Sequence, residues 1–359
     1  MNAPLQPPRL SVLDQSPIIE GHSPAEAVRQ TVELARHAEA LGYHRIWLAE
    51  HHNMRGLADP CPEILLARVG AATSRIRIGS GGVLLPYYSA LKVAEVFRML
   101  EALFPGRVDL GIGRAPGTDM LTSQALFQGA HYDFNQFPTH VQETVALLDN
   151  ALPADHPYAG LRAMPTGEGT PEVWLLGSSD YSAQLAAWLG LSFSFAHFIS
   201  AHGGDAVARL YRRDFRPSAR QAAPAAMLTV FALAAPTRQE AERRAAPIDL
   251  RRLQMARGFD APVATVEQAL AREYSAADRA IIERERARAI IGTPDHVRGR
   301  ILELQAAFQA DEVMVLTITG DYAHRIESYA LLAEAFGLAP AVTATTEHGL
   351  EAFRHPAPG

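Results

Sequence analysis

The stretch Arg75 to Pro86 reads RIRIGSGGVLLP. Arg75, Ile76, Arg77 and Ile78 alternate as a strand does, and Val83-Leu84-Leu85 continues as the apolar run of a buried one. Between them lie Gly79, Ser80, Gly81 and Gly82. Glycine inside a buried strand packs nothing and loses more backbone entropy than any other residue. Its presence implies either a bulge or barrel corner, or the close approach of a ligand or another backbone.

Outward from this stretch the chain alternates strand and helix. Strands are expected at residues 10–13, 43–48, 76–85, 108–112, 173–176, 193–198, 227–234 and 313–319. Ser23-Pro24-Ala25-Glu26 is a capping box with proline at the first helical position, and Gly42 stops the helix it opens. Thr237 to Glu240 is a second capping box, opening a helix that Pro247 is expected to interrupt. Eight strand–helix units predict a parallel sheet covered by helices, closing as a single (β/α)8 TIM barrel of the α/β class. A doubly wound sheet is the alternative. Gly111-Ile112-Gly113 is its only support, and Gly117 falls one position late for the dinucleotide fingerprint.

The barrel is expected over residues 10–337, with a disordered tail at 1–9 and another tail at 338–359. An insertion near 256–290 breaks the rhythm. Residues 263–288 are rich in Arg, Glu and Ala, and no strand is expected before the Thr293-Pro294 cap. The segment reads as a solvated helix pair or as a lid over the ligand end.

Composition narrows the function classes. The 359 residues are 48% hydrophobic and 20% charged, enough for a large core. The net charge of -6 and the lack of a basic stripe argue against nucleic acid or an anionic membrane as partner. Cys61 is the single cysteine, so no internal disulfide forms and a reducing compartment is expected. With no signal-peptide pattern at the start and no apolar run of spanning length, the expected location is the cytoplasm.

In a barrel of this kind the reactive groups sit at the C-terminal ends of the strands. Those ends carry Asp14, Gln15 and Ser16; Glu50, His51 and His52; Gly81 and Gly82; Gly113 and Arg114; Gly177, Ser178 and Ser179; His197; and Thr317 and Thr319. The pattern predicts a polar ring around a glycine-floored cavity. His51 reads either as a hydrogen-bonded histidine of the barrel mouth or as a general acid or base, with Glu50 orienting its ring or raising its pKa. His51 and His52 are poor joint metal ligands, because neighbouring strand residues point to opposite faces. Gly177-Ser178-Ser179 precedes a helix, where free N–H groups and the helix dipole favour a phosphate. Ser179 or Asp180 as a simple helix cap is the alternative. Arg114 on a neighbouring loop is a second anion partner, so the set suits flavin mononucleotide. Tyr87, Tyr88, His131, Tyr132 and Phe134 are candidates for an apolar substrate pocket beside it.

The strings LDQSP, AEHHN, IRIGSGGVLLP, GRVDLGIGRAPG, LLGSSDYSAQLAAWLGL and EVMVLTIT, in this order, resemble the bacterial luciferase-like flavin-dependent monooxygenases. The resemblance runs from about residue 10 to residue 336 and is similar above all to a branch of short, single-chain members. It implies a catalytic histidine at His51, a non-prolyl cis peptide at Gly81–Gly82 beneath the flavin ring, and phosphate binding by Arg114, Ser178 and Ser179. It further implies reduced FMN supplied by a separate NAD(P)H-dependent flavin reductase, O2 as co-substrate, a small organic substrate and a homodimer. The luciferases carry a mobile loop where residues 263–288 lie. Relatives with this barrel use the deazaflavin F420 as hydride carrier, and some members bind flavin without catalysis. The light-emitting enzymes have a reactive cysteine where this chain has Gly113, which argues against light emission but not against flavin chemistry.

Overall fold

A computed structural model describes residues 8–114, 117–129, 132–167 and 169–339. The chain runs β1 (Arg9–Asp14), α1 (Pro24–Leu41), β2 (Arg45–Leu48), α2 (Pro62–Ala72), β3 (Arg77–Leu84), α3 (Ala90–Leu103) and β4 (Val108–Gly113). It continues through α4 (Met120–Leu126), α5 (Phe137–Leu148), β5 (Glu172–Gly177), α6 (Asp180–Leu189), β6 (Ser192–Ala196), α7 (Gly204–Asp214) and β7 (Ala226–Ala234). The last third holds α8 (Arg238–Ala256), α9 (Val266–Leu270), α10 (Ala276–Arg286), β8 (Ala289–Gly292), α11 (Pro294–Phe308), β9 (Glu312–Leu316) and α12 (Tyr322–Phe336).

Eight parallel strands close in the order β1-β2-β3-β4-β5-β6-β7-β9 and back to β1, the (β/α)8 barrel expected. The strand β8 was not expected, and it is a correction. β7 pairs with β9 through Met227–Phe231, then outruns the barrel and pairs with β8 through Phe231–Ala234. Four residues attached to the overhang of one strand leave too short an apolar pattern to stand out after a charged helix. Pro247 is the second correction, since α8 runs through it without a break. Ala245, Ile248 and Leu250 are buried on either side of the proline, and packing of that face holds the helix over the one lost hydrogen bond. The Ser23 cap stands as expected: its hydroxyl accepts from the Glu26 N–H, and the Glu26 carboxylate accepts from the Ser23 N–H at 2.7 Å.

Strand alternation divides the core in two. Leu10, Val12, Ile46, Leu48, Val313 and Val315 face outward and pack under the helices. Leu13, Trp47, Trp174, Met227, Phe231, Met314 and Leu316 face inward and fill the barrel. Trp47 and Trp174 meet edge-on with centroids 5.5 Å apart. Beneath them a buried ionic network ties the floor together. Arg45 donates to Asp109 at 2.8 Å and to Glu312 at 2.8 Å, and Trp47 Nε1 donates to Asp109 at 2.9 Å.

This filling explains the glycines of the opening stretch. A Cβ on Gly79 would lie 2.7 Å from Trp47 Nε1 and from Asp109, and one on Gly81 would lie 3.0 Å from Trp47 Cβ and 2.8 Å from Leu13. A Cβ on Gly82 would lie 2.7 Å from the Gly111 carbonyl oxygen. The β3–β4 register shifts between Gly81 and Val83, as a bulge does. Close approach of protein atoms and a bulge therefore account for the run, and the empty row of side chains is taken up first by Trp47 and Leu13.

Residues 263–288 form a helix pair that packs on α8, and Arg286 bonds Asp249 of α8 at 2.6 Å. Val263 is pinned to β1's loop by hydrogen bonds with Ile18 and Glu20. The expected N-terminal tail begins outside the described residues, with Arg9 itself already in β1, and residues 340–359 of the expected C-terminal tail lie outside them too.

Candidate functional site

At the C-terminal end of the barrel the strands open into a cavity of about 530 Å³, a size that suits a cofactor-scale ligand. The catalytic and cofactor-site candidates all reach it: Glu50 and His51 after β2, Gly81 and Gly82 on β3, Arg114 after β4, Gly177 at the end of β5, and Ser178 and Ser179 after it. The peptide between Gly81 and Gly82 is cis. Leu13, Leu84, Leu176, Met314, Leu316 and Ile318 supply apolar wall.

His51 is half-buried, and its Nδ1 is buried with no hydrogen-bond partner among the described residues. Burial holds its pKa down at about 4; the Ala49 backbone carbonyl opposes this and the Arg251 charge adds to it. The ring is therefore neutral at neutral pH. Among the described residues the Glu50 carboxylate makes no hydrogen bond to it, so the expected orienting role fails, while the expected raising effect of its charge is present and is outweighed by burial. Glu50 accepts from His52 Nε2 at 2.6 Å, from the Tyr88 hydroxyl at 2.6 Å and from the Leu84 N–H at 3.0 Å. Residues two apart share a face where neighbours do not, so the Glu50 side chain meets His52 and its charge reaches His51 only through space.

The phosphate candidates keep their capacity free. Ser179 sits at the N-cap position of α6, yet its side chain makes no capping hydrogen bond, so the simple-cap alternative fails for it. The Arg114 guanidinium stacks 4.0 Å from the Tyr181 ring centroid, and no ion pair engages it among the described residues. Gly177 is required by Ser182, whose Cβ would lie 2.7 Å from a Cβ at that position.

Other members of the expected ring turn away from the cavity. Asp14 pairs with Arg325 at 2.7 Å, and Ser16 bonds Thr31 at 2.8 Å. Thr317 donates to the Ala232 carbonyl at 2.7 Å, and Thr319 to the Asp321 carbonyl at 2.5 Å. His197 lies against Phe308 behind the strands. Of the expected ring only Gln15 and Gly113 join the site residues in lining the cavity. The aromatic pocket is also corrected. Tyr87, Phe127, Tyr132 and Phe134 pack ring against ring outside the cavity, with Phe127 and Tyr132 stacked, Tyr88 serves Glu50, and His131 lies outside the described residues.

Sequence reasoning missed the opposite wall. Arg251 and Arg252 of α8 and Arg288 line the cavity, with Met255 and Ile248 beside them. They sit on a helix after β7 and on the segment before β8, not at a strand end. A pair of arginines in a charged helix carries no local signal that separates a cavity wall from a solvated face.

The family model for luciferase-like monooxygenases matches residues 9–311. The chain belongs to that family. A luciferase-like monooxygenase of Escherichia coli (strain K12) is 39% identical over 322 residues, 89% of this chain and 95% of that protein. The N-acetyl-S-alkylcysteine monooxygenase of Bacillus subtilis (strain 168) is 37% identical over 328 residues, 91% of this chain and 98% of that protein. Among solved structures, apo-MsnO8 superposes with a TM-score of 0.83 at 38% identity, covering 93% of this chain and 98% of that one. Two more distant structures share the fold alone. One is the oxygenating constituent of 3,6-diketocamphane monooxygenase from Pseudomonas putida with FMN, at TM-score 0.65 and 18% identity, covering 93% and 98%. The other is an F420-dependent secondary alcohol dehydrogenase, at TM-score 0.63 and 12% identity, covering 92% and 99%. This luciferase-like monooxygenase is thus an oxidoreductase. No helix among its described residues is long and apolar enough to cross a membrane.

Proposed function

We propose that this family member uses reduced FMN, supplied by a separate NAD(P)H-dependent flavin reductase, and O2 to place one oxygen atom in a small organic substrate. The observation that carries the reading is the convergence of His51, Gly81, Gly82, Arg114, Ser178 and Ser179 on one mostly apolar chamber. The residues fit the cofactor: uncapped N–H groups, two hydroxyls and an unpaired guanidinium face one end, and side-chain-free backbone faces the middle.

Bound there, the reduced flavin supplies the oxygen-activating chemistry. The chain's own residues do the rest. Arg114, Ser178 and Ser179 hold the phosphate, and Gly177 lets the turn close over Ser182. Gly81 and Gly82 would border the ring with the backbone that lines the cavity, while Leu13 and Trp47 fill the side of Gly81 where a Cβ would stand. His51, held neutral and with Nδ1 shut away inside the protein, would meet the reacting groups through its other ring nitrogen, Nε2, and take a proton there. Glu50 fixes His52 and Tyr88, and through them the loop that carries His51. The apolar wall keeps water from the reacting atoms. We further propose that the protein works in the cytoplasm as a homodimer, and that thioethers such as N-acetyl-S-alkylcysteines head the substrate panel, after its Bacillus subtilis relative.

The test supplies reductase, NADH, FMN and isotopically labelled O2 with that panel. The expected result is a product carrying one labelled oxygen atom, lost in His51→Ala while FMN still binds. Unlabelled product, or equal turnover without O2 on the deazaflavin F420, refutes the reading. FMN bound tightly with no substrate converted makes the protein a flavin carrier instead.

A further inference from the structure

We propose that the substrate is an anion whose carboxylate is received by the guanidinium of Arg252 on the α8 wall of the cavity. The proposal rests on the monooxygenase reading for the word substrate, but the binding argument stands on its own residues.

Buried arginines elsewhere in this chain are satisfied by several partners: Arg45 has Asp109 and Glu312, Arg244 has Glu240 and Glu327, Arg325 has Asp14, and Arg98 has the carbonyls of Leu148, Pro165 and Gly167. Arg252 is different. It lines the cavity, with its guanidinium 4.6 Å from the Phe231 ring centroid. Among the described residues its one hydrogen bond runs from Nη1 to the Glu285 carbonyl at 3.1 Å. No ion pair engages it among the described residues, because the acids nearby are already taken. Asp249 is held by Arg286 at 2.6 Å, and Glu285 by Arg288. Burial and the charge of Arg288 push the Arg252 pKa down to about 10, so the cation is destabilised yet still charged at neutral pH.

An unpaired cation in a desolvated wall is costly to maintain for stability alone. Its Nε and Nη2 edge has no partner among the described residues, and that edge offers two parallel donors matched to a carboxylate. Phe231 fixes the plane of the fork. The flavin phosphate is the other anion to consider, but its candidates follow β4 and β5, which are neighbours. Arg252 belongs to the helix after β7, on the far side of β6 from them. Arg251 is no rival, since it is tied to the Ala261 carbonyl at 2.6 Å and lies 3.7 Å from Asp260.

The test is calorimetry on FMN-loaded protein with phenylacetate and (phenylthio)acetate, each beside its methyl ester. The expected result is that both acids bind about tenfold or more tighter than their esters. Arg252→Gln brings acid and ester to within about twofold, Arg252→Lys keeps part of the preference, and FMN affinity changes by less than about twofold in both. Acids and esters binding alike, neither acid binding, or a preference that survives Arg252→Gln overturns the proposal. An Arg252→Gln protein that folds but loses FMN about tenfold also overturns it, by assigning the guanidinium to the cofactor. Arg252→Lys keeps the test open should the glutamine variant fail to fold. If FMN fails to bind the wild type, the monooxygenase reading falls, and the same acid–ester comparison on the flavin-free protein still decides for Arg252.

Discussion

His51 is held neutral by burial, and that has a measurable consequence for both stability and activity. Its ordinary pKa of 6.5 falls to about 4 in the folded chain. The unfolded chain therefore takes up a proton between those values while the folded chain does not. Stability contributed by the neutral ring is present above pH 6.5 and is lost as pH falls towards 4. At about 1.4 kcal/mol per pH unit the loss between pH 7 and pH 4 is about 2–3 kcal/mol. Other buried histidines, His44, His140 and His197, are lowered in the same direction. They remain in a His51→Gln variant, so the difference between variant and wild type isolates His51. Urea unfolding at pH 7 and pH 4 should show the variant losing about 2–3 kcal/mol less than wild type over that interval. In kcat/KM the acid limb should be absent at pH 6.5, and imidazole NMR should show one histidine that does not titrate between pH 5 and pH 8. Equal losses in the two proteins, or a His51 signal titrating near 6.5, would refute the argument from burial.

Arg114→Ala should weaken FMN binding by about 10–100-fold, read from quenching of flavin fluorescence, because a charged hydrogen-bond partner is lost; an unchanged affinity would remove Arg114 from the phosphate site. Gly79→Ala forces a methyl against Trp47 Nε1 and the Asp109 backbone, each 2.7 Å away. It should cost about 1–3 kcal/mol in urea unfolding, whatever ligand is present. A cost that vanishes would mean the barrel floor is looser than its contacts imply. Arg45→Met strips Asp109 and Glu312 of their shared buried partner. It should cost about 3–5 kcal/mol, and losses well below 1 kcal/mol would show that water reaches the floor.

The barrel was legible in the sequence because apolar strand runs alternate with helical stripes along the chain, and some helices open on a cap, as at Ser23 and Thr237. The site residues at strand ends were legible for the same reason, since topology sends all those ends to one rim. What escaped was set by contacts that no local pattern records. Gly79 and Gly81 look like space for a ligand until Trp47 and Leu13 are seen filling it. Asp14 and Thr317 occupy strand ends, yet each turns its side chain to a partner distant in sequence, Arg325 and the Ala232 carbonyl. β8 exists only because β7 overshoots the barrel. Arg252 lies in a helix whose charged sequence looks solvated, and only the position of Phe231 and the carbonyl of Glu285 turn it inward.

The two sides of the cavity are built from different materials, and this bears on how the family can vary its substrates. Backbone and small polar groups of β3, β4 and β5 make one side, and barrel closure fixes them in register. The other side is made by α8 and Arg288, whose neighbours α9 and α10 are not part of the barrel. A substitution on the first side moves strands that eight-fold closure holds, so it disturbs fold and cofactor together. A substitution at Arg252, Met255 or Arg288 changes side-chain contacts, among them the stacking of Arg252 on Phe231 of β7, and breaks no strand–strand hydrogen bond. Variation of ligand chemistry at constant fold is therefore expected on the α8 side, where a change of one side chain leaves the hydrogen-bonded ring of strands intact.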